Sequence, residues 1–155
     1  MATITYTVTV ATGQNAFGAG TNKFFINGEV SPVLYLQEGN TYIFDTSDSS
    51  NASNQLLFSS TKDGTNTASG VNYTNGVTVT GTAGTTGALI TIIVAPVRTV
   101  GAPVLFYYSA TTTGMGNTAQ TISPTSETTS FNPQIDEIIE EAYERTGVLG
   151  TRTGY

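Results

Sequence analysis

TITYTVTVA, residues 3–11, alternates without a break. Successive side chains of an extended chain point to opposite faces, so Ile4, Tyr6, Val8 and Val10 fall on one side and Thr3, Thr5, Thr7 and Thr9 on the other. The threonines are β-branched, which suits a pleated backbone, and their hydroxyls suit a wet face. The stretch therefore predicts a strand with one buried side and sets the class of the chain as mainly β.

The same period recurs downstream. GQNAFGAG, residues 13–20, is a glycine-rich turn that leads to a strand over 23–27, and Asn27-Gly28 is a turn signal. Residues 33–36 and 41–45 are strand candidates separated by Glu38-Gly39-Asn40, and DTSDSSNASN, 45–54, is a loop before a strand over 55–59. Residues 62–87 are rich in Gly, Thr, Asn and Ser and read as a loop excursion carrying a short strand at 77–80. ALITIIVA, 88–95, predicts a strand partly buried on both faces. Residues 103–109 predict another, with Leu105 and Tyr107 opposing Val104, Phe106 and Tyr108 across the pleat, and 118–122 completes the set. Seven to nine short strands with turn signals between them predict an antiparallel Greek-key sandwich.

Composition narrows the chemistry. The chain has 155 residues, enough for one core, and contains no cysteine and no histidine. Thiolate and imidazole mechanisms, zinc sites and disulfides are thereby excluded, and the redox compartment is left open. Charged residues make up 10% and the formal net charge is -6, so a basic nucleic-acid footprint is missing. No apolar run approaches membrane-spanning length, and MATITYTVTV lacks a basic stretch followed by an apolar core, so neither a membrane span nor a cleaved signal is expected. Ser and Thr are abundant, but with only Lys23 and Lys62 as unusual bases an activated nucleophile is not expected; the chain reads as non-enzymatic, with no cofactor.

After Ile122 the texture changes. Residues 123–131, SPTSETTSF, form a polar linker, which makes 1–122 the β-domain and 132–155 a helix and tail. Asn132-Pro133 is an N-cap followed by proline at the first helical position, Asp136 and Glu137 complement the helix dipole, Arg145 lies near the last turn, and Gly147 is a stop. Ile135, Ile138, Ile139, Ala142 and Tyr143 form one apolar stripe opposite Glu137, Glu140, Glu141 and Glu144, whose carboxylates read as a solvated face rather than as acid–base groups. An amphipathic helix of about four turns is marginal alone in water, so the stripe is expected to bury against a surface, either its own β-domain or a partner. Those five residues are the candidate partner-binding set.

Three constellations carry alternative readings. Asp45 and Asp48, with Ser47, Ser49 and Asn51, could offer oxygens to calcium, but the same residue types dominate turns, which is the favoured reading. Phe44, Phe58, Phe106, Tyr107 and Tyr108 could form a platform for sugars; alternation assigns about half of them to the core. Met115, between Gly114 and Gly116, reads as filler of an apolar gap in a tight loop.

The motifs FDTSDSSNASNQLLFSSTKDGT, YTNGVTVTGTAGTTGALITIIVA and LFYYSATTTGMGN, in that order, resemble cupredoxin-like domains in structural proteins of marine tailed bacteriophages. The segment YYSATTTGMGN, 107–117, is similar to a blue-copper ligand loop whose ligands are gone. Relatives with the copper pattern carry His where this chain has Asn54, Cys at Ser109 and His at Thr112; of the four ligand positions only Met115 is kept, and a thioether alone cannot hold type 1 copper. The resemblance implies the fold without the metal. FNPQIDEIIEEAYERTG followed by RTGY is similar to the opening of head-to-tail adaptor proteins of short-tailed phages, in which more helices follow. Only the helix carries over, as an attachment element at a portal or neck.

Together these readings lead to an expected function: a non-enzymatic structural component of a bacteriophage virion, a capsid decoration protein or a head-tail adaptor, present as an oligomer and contacting other phage structural proteins. The rival expectation is a carbohydrate-binding module that uses exposed aromatics on the host surface.

Overall fold

The computed structural model describes residues 1–95 and 103–124. Ten strands run in the order β1 (Thr3–Asn15), β2 (Gly18–Ile26), β3 (Glu29–Val30), β4 (Leu34–Gln37), β5 (Thr41–Asp45), β6 (Leu56–Ser59), β7 (Val77–Thr80), β8 (Leu89–Ile93), β9 (Val104–Ser109) and β10 (Asn117–Ile122). They form a six-stranded sheet, β3-β2-β1-β5-β8-β7, and a four-stranded sheet, β4-β10-β9-β6. One apolar core draws on both: Val8, Phe24, Phe44, Ile90 and Ile92 from the first, Leu36, Leu56, Phe58, Leu105 and Tyr107 from the second. Phe44 and Phe58 meet edge to face at 5.5 Å between centroids, and Phe24 lies 6.4 Å from Tyr107. The architecture is a β-sandwich.

The sheets are mixed, which corrects the expectation of wholly antiparallel ones. β1 runs parallel to β5, with Tyr6 opposite Phe44, and β10 runs parallel to β4, with Ala119 opposite Leu34. Alternation reports which side of a strand is buried; it carries no information about the direction of the neighbour, so this feature had no signal in the sequence.

The glycine-rich stretch after β1 is strand rather than loop. β1 and β2 pair up to Asn15 opposite Gly18, leaving a two-residue turn at Ala16 and Phe17, and the extra residue is absorbed by a register shift between Gly13 and Gln14. Gly18 has φ +118°, a value that an L side chain resists, and the Asn15 side chain accepts from the Phe17 amide at 2.9 Å. Along β8 one face, Ile90 and Ile92, is fully buried, and the other is partly buried at Leu89 and Thr91 and opens to solvent at Ile93, in line with the expected partial burial of both faces. The excursion after β6 contains a 3-10 turn, Gly64–Asn66, and a bridge from Ser59 to Asn72 before β7. The proposed helix and its stripe, Ile135, Ile138, Ile139, Ala142 and Tyr143, lie outside the described residues.

Candidate functional site

Asn54, Ser109 and Thr112, separate in sequence, come together at one end of the sandwich. β9 stops at Ser109, whose backbone pairs across to Leu56 of β6, and Asn54 stands two residues before that strand. The Asn54 Nδ2 donates to the Ala52 carbonyl at 3.3 Å, which turns Oδ1 toward the loop after β9. There the Thr112 Oγ1 donates to it at 2.8 Å, and the Ser109 Oγ lies at 3.4 Å. Thr111 donates to the Ser53 carbonyl and stands 3.0 Å from the Ser109 Oγ. Ser109 is wholly buried and Asn54 nearly so.

This set is neutral. Its three gathered side chains offer one amide and two hydroxyls, all engaged with one another or with backbone, and none ionises near neutral pH. Copper in a type 1 centre needs imidazole nitrogen and thiolate sulfur, so these oxygens do not fit it. The same hydroxyls have no carboxylate within hydrogen-bond reach among the described residues.

The Gly-Met-Gly turn beside it is held by its backbone. Asn15 Nδ2 reaches the carbonyls of Gly114 at 3.0 Å and Gly116 at 3.1 Å; Lys23 Nζ donates to the Gly114 carbonyl at 2.8 Å; and the Gly114 amide donates to the Asp63 carboxylate at 3.0 Å. Ser31 Oγ donates to the Met115 carbonyl at 2.9 Å, and the Phe24 amide does so at 3.0 Å. Burial pulls the Lys23 ammonium below the usual lysine range, and the charge of Asp63 opposes the shift. Gly116 is required by space, because a Cβ would fall 1.7 Å from the Tyr107 carbonyl oxygen. The Met115 side chain is buried in the common core, as the gap-filling reading expects.

The calcium constellation is a pair of turns. Asp45 accepts from the Ser47 amide at 2.9 Å, and Asp48 accepts from the amide and hydroxyl of Ser50 at 2.9 and 2.6 Å while capping the 3-10 turn Ser49–Asn51. These bonds hold both carboxyls below their usual range. Among the described residues no three metal-ligating acids gather, and no helix is long and apolar enough to cross a membrane.

The aromatic set is more buried than alternation implies. Phe44, Phe58 and Tyr107 are in the core, and Tyr108, on the opposite face, is also fully enclosed. Its ring lies over Gly64 and its hydroxyl bonds to Thr65 at 3.3 Å and to Asn72, so the excursion after β6 covers it. Only Phe106 stays half-exposed. Sequence reasoning missed a different pair, Tyr6 and Tyr35, which share an open cleft with Asn27 and Glu29. The signal was present in LYLQ, where Tyr35 alternates with two leucines and so must face outward. Compared with known protein families and with curated proteins, the chain matches none of them.

Proposed function

We propose that this chain is a non-enzymatic structural component of a tailed-bacteriophage particle, built on a cupredoxin-like Greek-key scaffold whose metal position has been replaced by a polar clasp. The observation that carries this reading is the meeting of Asn54, Ser109 and Thr112 around one amide oxygen, at the end of β9 and beside the Gly-Met-Gly turn. The residues that the resemblance puts at copper-ligand positions share one small volume, and their side chains tie loops together instead of offering metal donors. A scaffold kept for shape after losing its chemistry suits assembly work.

The segment 132–155 is the proposed attachment element, with Ile135, Ile138, Ile139, Ala142 and Tyr143 burying apolar area against a capsid, portal or neck subunit. Contacts within particles are repeated by symmetry, so many copies are expected. Quantitative mass spectrometry of purified particles against the major capsid protein tests the reading. Tens to hundreds of copies assign a capsid decoration role and about a dozen a neck role, the ring symmetry being the deciding quantity. Absence from the particle defeats it.

A further inference from the structure

The lateral opening of the sandwich, where the β2–β3 turn of the larger sheet faces edge strand β4 of the smaller, holds a cleft of 270 Å³ lined by Tyr6, Ile26, Asn27, Glu29, Pro32, Val33, Leu34 and Tyr35. Its size is just below the roughly 300 Å³ at which pockets for drug-sized ligands begin, so it suits one small ring rather than a long chain.

The walls are fixed. Tyr6 stacks on Tyr42 at 6.1 Å with the planes 5° apart and leans on Phe44 at 5.2 Å. Asn27 Oδ1 accepts from the amide of Thr7 at 2.9 Å and from its hydroxyl at 3.2 Å, which leaves Nδ2 without an acceptor among the described residues. Tyr107 donates to the Pro32 carbonyl at 2.6 Å, and Asn117 Nδ2 donates to the Ser31 carbonyl at 2.7 Å. Asn27, on this wall, has φ of 50° and with Gly28 at 83° makes the two-residue turn between Ile26 and Glu29.

The chemistry of the lining is two-sided. Tyr35 is 58% exposed, a large ring left in water next to a carboxylate and an amide. A pyranose has the complementary surface: one face of C–H bonds, drawn to the electron-rich face of an aromatic ring, and a rim of hydroxyls that bond to carboxylate and amide groups. With a net charge of -6 and Glu29 at the rim, phosphorylated or sulfated ligands are disfavoured. We propose that this cleft binds one pyranose ring of a neutral glycan, with Tyr35 stacked on its C–H face and Glu29 and Asn27 Nδ2 taking its hydroxyls. Such a site gives a particle-borne protein a means of touching a cell surface, and it stands apart from the core aromatics once expected to do so.

The test is an amide-resolved NMR titration of the full chain with glucose, galactose, mannose and N-acetylglucosamine, each added alone. The expected result is a saturable shift confined to residues around Asn27, Glu29 and Tyr35, with a dissociation constant on the order of millimolar, as small rigid ligands give. Tyr35→Ala, at an exposed position, is expected to weaken binding by about tenfold while leaving the remaining spectrum in place, and Tyr35→Phe to retain it within about twofold. The proposal is overturned if none of the four sugars moves these amides, if Tyr35→Ala binds as the parent does, or if the same amides shift on raising protein concentration alone, which would make the cleft a contact between copies.

Discussion

Gly64 lies directly beneath the ring of Tyr108: a Cβ placed on it would stand 2.2 Å from the ring carbon Cζ. Its φ is +47°, so a side chain there meets both backbone strain and an occupied volume. Gly64→Ala is expected to cost about 2–5 kcal/mol, the sum of a left-handed non-glycine residue and an overpacked contact. Urea unfolding measures this, and in a Tyr108→Leu background the same change should cost less, because the two positions share one space. A loss under about 0.5 kcal/mol would mean that the excursion does not seat on Tyr108.

Tyr107 ties stability to alkaline pH. Burial, with the charge of Glu29 in second place, raises its phenol far above the usual range. A phenol that ionises later in the folded state favours folding below its unfolded value, and that contribution is lost as pH rises beyond about 10. The parent should therefore lose stability through this window, and Tyr107→Phe should lose less of it. At neutral pH the same variant gives up the bond to the Pro32 carbonyl, at a cost of about 1 kcal/mol. Parallel slopes of stability against pH for the two proteins would contradict this account.

Lys23 works in the opposite direction. Its ammonium is disfavoured by burial, so the unfolded chain holds this proton more tightly, and stability is expected to rise between the folded-state value and about pH 10.4. Lys23→Met keeps the stem and removes both the charge and the bond to the Gly114 carbonyl. It should abolish the rise and cost about 1 kcal/mol at pH 7, the carbonyl keeping the Asn15 Nδ2 donor at 3.0 Å. Denaturation midpoints from pH 7 to 10 decide it.

The clasp can be asked to become a metal centre. Asn54→His, Ser109→Cys and Thr112→His together place two imidazoles and a thiolate around the position where Thr112 and Asn54 meet at 2.8 Å. Stoichiometric copper with an intense thiolate-to-metal absorption is expected in the triple variant and not in the parent. A folded triple variant that takes up no copper would count against the cupredoxin-like scaffold while leaving the sandwich itself untouched.

Removing 131–155 should leave the β-domain folded, with an unchanged far-ultraviolet strand signature and cooperative unfolding. The truncated protein is expected to fail to join particles assembled in its presence. Normal incorporation would rule out the attachment role.

Much of the strand pattern was legible because burial repeats every second residue. Residues 41–45 and 77–80 match β5 and β7. Strand direction was not legible, since the parallel pairing of Tyr6 with Phe44 leaves no trace in alternation. Tyr108 misled for a related reason: the pleat assigns a face, and here that face is roofed by Gly64 and Asn72 from a segment that composition marks only as polar. The meeting of Asn54, Ser109 and Thr112 was suggested by the resemblance alone. Nothing in those residue types draws attention, because neutral hydroxyls and amides are what loops ordinarily contain.

The parallel seam between β4 and β10 also bears on how the chain reaches this state. β4 has a single neighbour in its sheet, and that neighbour is the last strand described, with Leu34 meeting Ala119 and Leu36 meeting Thr121. Closing so long a loop precedes any reward from the contacts it brings, which slows folding. During synthesis β4 must wait, unpaired, until β10 leaves the ribosome, and the six-stranded sheet, whose strands are all made earlier, is expected to take shape first. Completion of the smaller sheet is then expected to be the last step in building the sandwich.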